Sequence, residues 1–123
     1  MEQAEDLTTI DLLSSVIRFD QDGKVRVERK AGRGGGWRMT AFHAKTPADT
    51  GTWTVNPDAD ELVSCLIGII RLHIRPESPD EDPEIIRLTA GTAVVVPRGR
   101  RRRIELHTPS DILIVTLPAT HRS

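Results

Sequence analysis

Trp53-Thr54-Val55-Asn56-Pro57-Asp58-Ala59-Asp60-Glu61-Leu62-Val63-Ser64-Cys65-Leu66-Ile67-Gly68 is the stretch on which the reading of this chain turns. An extended piece carrying Thr54 and Asn56 runs into a turn at residues 56–60, and a strongly apolar strand leaves from Glu61 and stops at Gly68. A second stretch lies downstream, Gly91-Thr92-Ala93-Val94-Val95-Val96-Pro97-Arg98-Gly99-Arg100-Arg101-Arg102. Here a β-branched run is bounded by Gly91 on one side and by Pro97 and Gly99 on the other, again a strand ending in a turn.

Composition narrows the classes open to the chain. Its 123 residues suffice for one domain with a single core, expected over residues 9–119, with residues 1–8 frayed and 120–123 a tail. Charged residues make up 28% and hydrophobic residues 37%, and no apolar run approaches the roughly eighteen residues of a membrane span. The first residues are acidic where a secretory signal is basic, and a lone Cys65 forms no internal disulfide, so a cytoplasmic location is expected. A net charge of -1 gives no global attraction to nucleic acid or anionic lipid. The absence of Tyr, with two Trp and two Phe, leaves few faces for stacking bases or sugars.

Outward from the deciding stretch, the chain reads as short strands. Ile10, Leu13, Val16 and Ile17 recur at helical spacing behind a capping pattern of Thr8 and Asp11, which predicts one short helix over residues 9–19. Residues 20–23 are a turn signal and 24–30 alternate as a half-buried strand. Gly32 to Gly36 lacks the Lys-Ser/Thr ending and the following helix of a phosphate loop, and reads as flexible. Residues 37–45 form a strand with Trp37, Met39, Ala41 and His43 on one face. In residues 69–75, Ile70, Leu72 and Ile74 alternate with Arg71, His73 and Arg75. Three prolines and four acidic residues make 76–83 a solvated loop. Strands follow at 84–88, 92–96, 101–107 and 111–117, with Val94–Val96 expected to be buried on both faces. The sum is an all-β chain, a small antiparallel barrel or jelly roll with one N-terminal helix.

In spacing, the two stretches resemble the conserved motifs of the cupin family. The first family motif is a His-x-His pair, turn residues, a Glu and, after six intervening residues, a Gly; Glu61 and Gly68 match it, while Thr54 and Asn56 stand where the histidines would be. The second is a Gly, five residues, Pro-x-Gly and, after two intervening residues, a His; Gly91, Pro97 and Gly99 match it, and Arg102 replaces the His. The resemblance covers residues 53–117 and implies a cupin-like β-barrel. It also implies that three of the four residues that hold the family's metal are absent, so no metal or other cofactor is expected. Cupins include oxygenases, isomerases, epimerases, decarboxylases and binding modules, so the resemblance selects no reaction.

Strand parity adds information of its own. Arg102 shares a face with Ile104 and Leu106 and is therefore expected inside, where a guanidinium beside Glu61 supplies the charge balance a divalent metal otherwise gives. The alternative is that Arg102 reaches the barrel mouth and Glu61 caps a turn. Thr54 and Asn56 share a face, which the cupin resemblance implies converges with Glu61 on the lumen, and His43 is the one histidine expected to face inward, as a satisfied core residue before a ligand. Among Arg98, Arg100, Arg101, Arg102 and Arg103, alternation splits the charges between faces, which disfavours a nucleic-acid patch. Arg100 and Arg102 are instead candidates to hold an anion together. The expected function is a metal-free barrel binding a small, anionic organic ligand, with Glu61 as the candidate acid or base of an isomerase, cyclase or lyase reaction. The alternatives are a non-catalytic binding or regulatory homodimer and a metal-dependent dioxygenase or isomerase with unusual ligands.

Overall fold

Apolar and charged side chains alternate along residues 69–75, so one side of that strand must meet a core and the other water. The computed structural model, which describes residues 9–10, 15–19, 25–28 and 37–117, contains nine strands among those residues. They are β1 (Val16–Phe19), β2 (Val25–Glu28), β3 (Trp37–Ala44), β4 (Glu61–Ile67), β5 (Ile69–Ile74), β6 (Glu84–Thr89), β7 (Thr92–Val96), β8 (Arg102–Leu106) and β9 (Ser110–Thr116). A short 3-10 helix, Pro47–Asp49, follows β3. Six strands form one sheet in the order β2-β1-β3-β9-β4-β7, and three form a second in the order β6-β5-β8. Every pairing is antiparallel.

The two sheets bury their inner faces against each other. Ile70, Leu72 and Ile74 of β5 meet Val63 and Cys65 of β4, Ile112 of β9, Ile104 of β8 and Val96 of β7 in one apolar cluster. Full burial of a side chain such as Ile70, Leu72 or Ile112 stabilises by about 1.5–3 kcal/mol. Gly68 lets β4 turn into β5: its φ is +100°, and a Cβ there would lie 2.6 Å from the Pro109 carbonyl oxygen and against Ser110. Only a glycine fits that approach.

Three expectations change. The helix over 9–19 is not formed where the chain is described: Val16–Phe19 is β1, paired with β2 and β3. Val16, Ile17 and Arg18 are all buried, so both faces of the strand are covered, and such a run shows no period of two. The cap at Thr8 and Asp11, the 20–23 turn, the Gly32–Gly36 loop and the 120–123 tail lie outside the described residues. Second, the barrel is two facing sheets and not a closed ladder; the free edge of β8 carries an isolated bridge from Arg102 to Thr54, which lies in the segment before β4 and in neither sheet. Third, the valines of β7 are not buried on both faces: Val96 is 2% exposed but Val95 is 53% exposed, because β7 is an edge strand whose outer side nothing described covers. No helix among the described residues is long and apolar enough to cross a membrane.

Candidate ligand-binding site

Arg102 opens β8 with its side chain turned to the inner face beside Ile104, as parity requires. Its backbone is fixed from outside the sheet: Arg102 N–H donates to the Thr54 carbonyl at 2.9 Å and Thr54 N–H donates back to the Arg102 carbonyl at 2.8 Å. Glu61 opens β4, opposite Val96 and Thr116. The two charges meet across the sheets, Arg102 Nε donating to Glu61 Oε1 at 3.1 Å, with the side chains only 8% and 11% exposed. Thr116 Oγ1 lies 3.5 Å from Glu61 Oε2 and completes the set. The alternative in which Arg102 reaches away to the barrel mouth and Glu61 caps a turn does not describe this buried pair.

A cavity of about 250 Å³ opens beside the pair. Arg102 and Thr54 contribute to its wall, and Phe42, Ile104 and Ile114 give it an apolar side. The remaining wall is the segment from Asp49 to Thr52. That segment is held by Asp49, whose Oδ2 accepts from the N–H groups of Lys45 at 2.8 Å and Thr46 at 3.0 Å. The Thr46 and Lys45 N–H groups also hold the Asp49 carboxyl below its ordinary pKa, so it is ionised at neutral pH. Thr50 Oγ1 is buried and, among the described residues, has no hydrogen-bond partner. A buried hydroxyl in a cavity wall without a partner is a polar group available to a ligand.

The other expected site residues go elsewhere. Asn56 is not part of this wall: its Oδ1 accepts from the N–H groups of Asp58 and Ala59, both at 3.0 Å, and so builds the turn before β4. His43 does not face inward. Its side chain is 42% exposed and hydrogen-bonds Asp111, the residue opposite it on β9, because the even-numbered residues of β3, Phe42 and Ala44, are those that meet the core. Arg100 and Arg102 do not share an anion: Arg100 Nε donates to the Arg75 carbonyl at 3.1 Å and its side chain lines a separate cavity. Phe42, Asp49, Thr50 and Thr52 escaped the sequence reading. Residues 46–51, Thr-Pro-Ala-Asp-Thr-Gly, are turn-forming in type, and nothing local says that a turn will fold over a distant strand.

The residues at the metal positions of the fold do not suit a divalent ion. Arg102 places a permanent cation 3.1 Å from the one carboxylate, and Asn56 Oδ1 already accepts two backbone N–H groups. What remains is Thr54, a neutral hydroxyl that donates to the Thr52 carbonyl at 3.3 Å. Among the described residues no three or more His, Cys, Asp or Glu side chains converge.

The same two-sheet architecture recurs in solved structures of low sequence identity. A cupin protein from Bacteroides fragilis superposes with a TM-score of 0.60 at 17% identity, covering 100% of this chain and 91% of that one. A cupin-2 domain protein from Shewanella frigidimarina gives 0.53 at 19% identity, over 69% of this chain and 72% of that one. Hydroquinone 1,2-dioxygenase from a Sphingomonas species, solved with 4-hydroxybenzoate bound, gives 0.53 at 17% identity, over 72% of this chain and 64% of the dioxygenase. No protein-family model and no curated protein matches the sequence.

Proposed function

The chain has the cupin fold, and from that premise we propose that it binds a small organic anion through Arg102 and does so without a divalent metal at its centre. The observation that carries this reading is one guanidinium in two roles: Arg102 Nε is held by Glu61, and the same side chain is part of the cavity wall. Pinned along one edge, a guanidinium offers the other as a fixed fork, and a planar carboxylate accepts two parallel hydrogen bonds from it. Phe42, Ile104 and Ile114 suit an apolar body. Asp49 and the unpartnered Thr50 hydroxyl suit a ligand that also carries a hydroxyl or amino group. A small hydroxylated carboxylate has all three features, as does the 4-hydroxybenzoate bound in the Sphingomonas dioxygenase.

Glu61 is in this reading the residue that positions Arg102. A proton-transfer role in isomerase, cyclase or lyase chemistry asks for a free oxygen facing the ligand, whereas Glu61 stands behind Arg102 and outside the cavity wall. Binding without turnover is therefore the reading the geometry favours. We further propose that the chain works as a homodimer.

Thermal unfolding with benzoate, 4-hydroxybenzoate and their uncharged amides tests the anion site. A carboxylate present at a hundredfold excess over its Kd is expected to stabilise the protein by about 2.7 kcal/mol. The paired variant Glu61→Gln/Arg102→Met, which leaves no lone buried charge, is expected to stay folded and lose the response. Equal stabilisation by the amides, or an undiminished response in the paired variant, overturns the reading. Stoichiometric iron, manganese, nickel, copper or zinc in the purified protein promotes the metal-dependent alternative.

A further inference from the structure

Arg102 accounts for one member of the arginine run at residues 98–103; Arg100 and Arg101 line a different cavity. A cavity of about 270 Å³ is lined by Arg75, Pro76, Glu77, Gly99, Arg100 and Arg101. Three arginines thus line one space with one carboxylate, Glu77, in its wall, in a chain whose net charge is -1. We propose that this cavity is a second anion site, distinct from the Arg102 cavity, and that it takes a phosphate group.

The fold brings the three arginines together and fixes two of them. Arg75 follows β5 and Arg101 precedes β8, and the Arg75 N–H donates to the Arg101 carbonyl at 2.9 Å, extending the ladder by one step. The Arg75 guanidinium carbon sits 4.9 Å from the centre of the Trp53 ring, with Arg103 5.5 Å from the same ring, so the aromatic face holds the side chain in place. Arg100 is tied by its Nε to the Arg75 carbonyl at 3.1 Å. Its Nη2 lies 3.7 Å from Glu84 Oε1, beyond hydrogen-bond distance, and the Glu84 side chain is 64% exposed. Solvent screens that pairing and leaves the terminal nitrogens of Arg100 available.

Charge and donor geometry together point to the ligand. Glu77 is set against three arginines in the wall, an excess of two positive charges, or of one with Glu84 counted at 3.7 Å from Arg100, which a phosphate dianion or monoanion balances. Forked guanidinium donors suit the several oxygens of such a group. Gly99, with a φ of +84° and no side chain, turns the chain beside the cavity, and its N–H is committed to the Asn56 carbonyl at 2.8 Å. The site therefore recognises its ligand through side chains.

Backbone amide NMR at constant ionic strength tests the proposal with three probes: inorganic phosphate, glycerol 3-phosphate, and phosphatidylcholine vesicles with or without phosphatidic acid. Saturable shifts at Gly99, Arg100 and Arg101 are expected with a soluble phosphate, and Arg75→Gln/Arg100→Gln is expected to weaken binding about tenfold or more while leaving the folded spectrum intact. Tighter binding of glycerol 3-phosphate than of inorganic phosphate assigns the site to a phosphorylated small molecule; equal binding assigns it to free phosphate. Shifts matched by chloride, or unchanged in the double variant, overturn the proposal. So does binding to phosphatidic acid vesicles with no response to either soluble phosphate. Arg102→Met with Glu61→Gln is expected to keep the phosphate response, which separates this site from the carboxylate cavity.

Discussion

Removing two opposite charges from water is costly, and the Arg102–Glu61 pair is tolerable only because each compensates the other at 3.1 Å with little solvent access. Removal of either partner strands the other. Glu61→Ala and Arg102→Ala are each expected to lower stability by about 3–5 kcal/mol, and the double variant by much less than their sum. Denaturant unfolding of the three variants measures this, and a coupling below about 0.5 kcal/mol would contradict the pairing. A second residue-scale prediction separates two glycines with similar backbone angles. Gly68 and Gly91 have φ of +100° and +85°, but a Cβ on Gly91 meets nothing within 4 Å, whereas one on Gly68 runs into Pro109 and Ser110. Gly91→Ala is expected to cost about 1–2 kcal/mol for the left-handed backbone. Gly68→Ala is expected to cost distinctly more in the same denaturant assay, and equal losses would mean that the β4–β5 turn yields freely.

The paired strands β5 and β8 carry their own signature. His73 Nε2 lies 2.8 Å from Glu105 Oε1 across the ladder, and this hydrogen bond holds the Glu105 carboxyl below the usual glutamate range. Because the folded pKa is the lower one, the unfolded chain takes up the proton first as the solution is acidified. The contribution is therefore present above the ordinary carboxylate pKa of about 4.3 and disappears as pH falls below it towards the depressed folded value. Glu105→Gln is expected to flatten the acid side of the stability profile in that window, measured by urea unfolding at stepped pH. An unchanged slope would remove the cross-strand bond from the account. At this scale the sequence was most informative where one face is wet: the alternation in β5 identified Ile70, Leu72 and Ile74 as core. It misled at β1, where Val16, Ile17 and Arg18 are all buried and the period of two vanishes.

For the molecule as a whole, large apolar side chains stand exposed at several places on the six-stranded sheet, although Ile17 and Ala41 on its outer face are buried. Val25 and Val27 of β2, Trp37 of β3, Leu66 and Ile67 of β4 and Val95 of β7 are each 44% exposed or more. Several large apolar side chains on one side of a sheet mark an association surface. The chain is expected to sediment at twice its monomer mass, and Val95→Glu together with Val27→Glu is expected to shift it to the monomer without unfolding it. A monomer at all concentrations in the parent protein removes the homodimer from the proposal.

The β architecture, the turn glycines and the inward aim of Arg102 were legible in the sequence alone, whereas the nearness of Glu61 to Arg102 followed from the cupin resemblance. The first three depend on short-range pattern: strand parity assigns a face, and Gly or Pro marks where a strand must stop. That Asn56 closes a turn, that His43 points outward, and that Arg100 and Arg102 line separate cavities emerges from the folded molecule. It alone brought Phe42, Asp49 and Thr50 to the wall beside Arg102. Parity states which side of its own strand a residue occupies, but not which distant segment will face it. That is settled by how two twisted sheets bury their apolar sides together, a property of the assembled core and of no single stretch of chain.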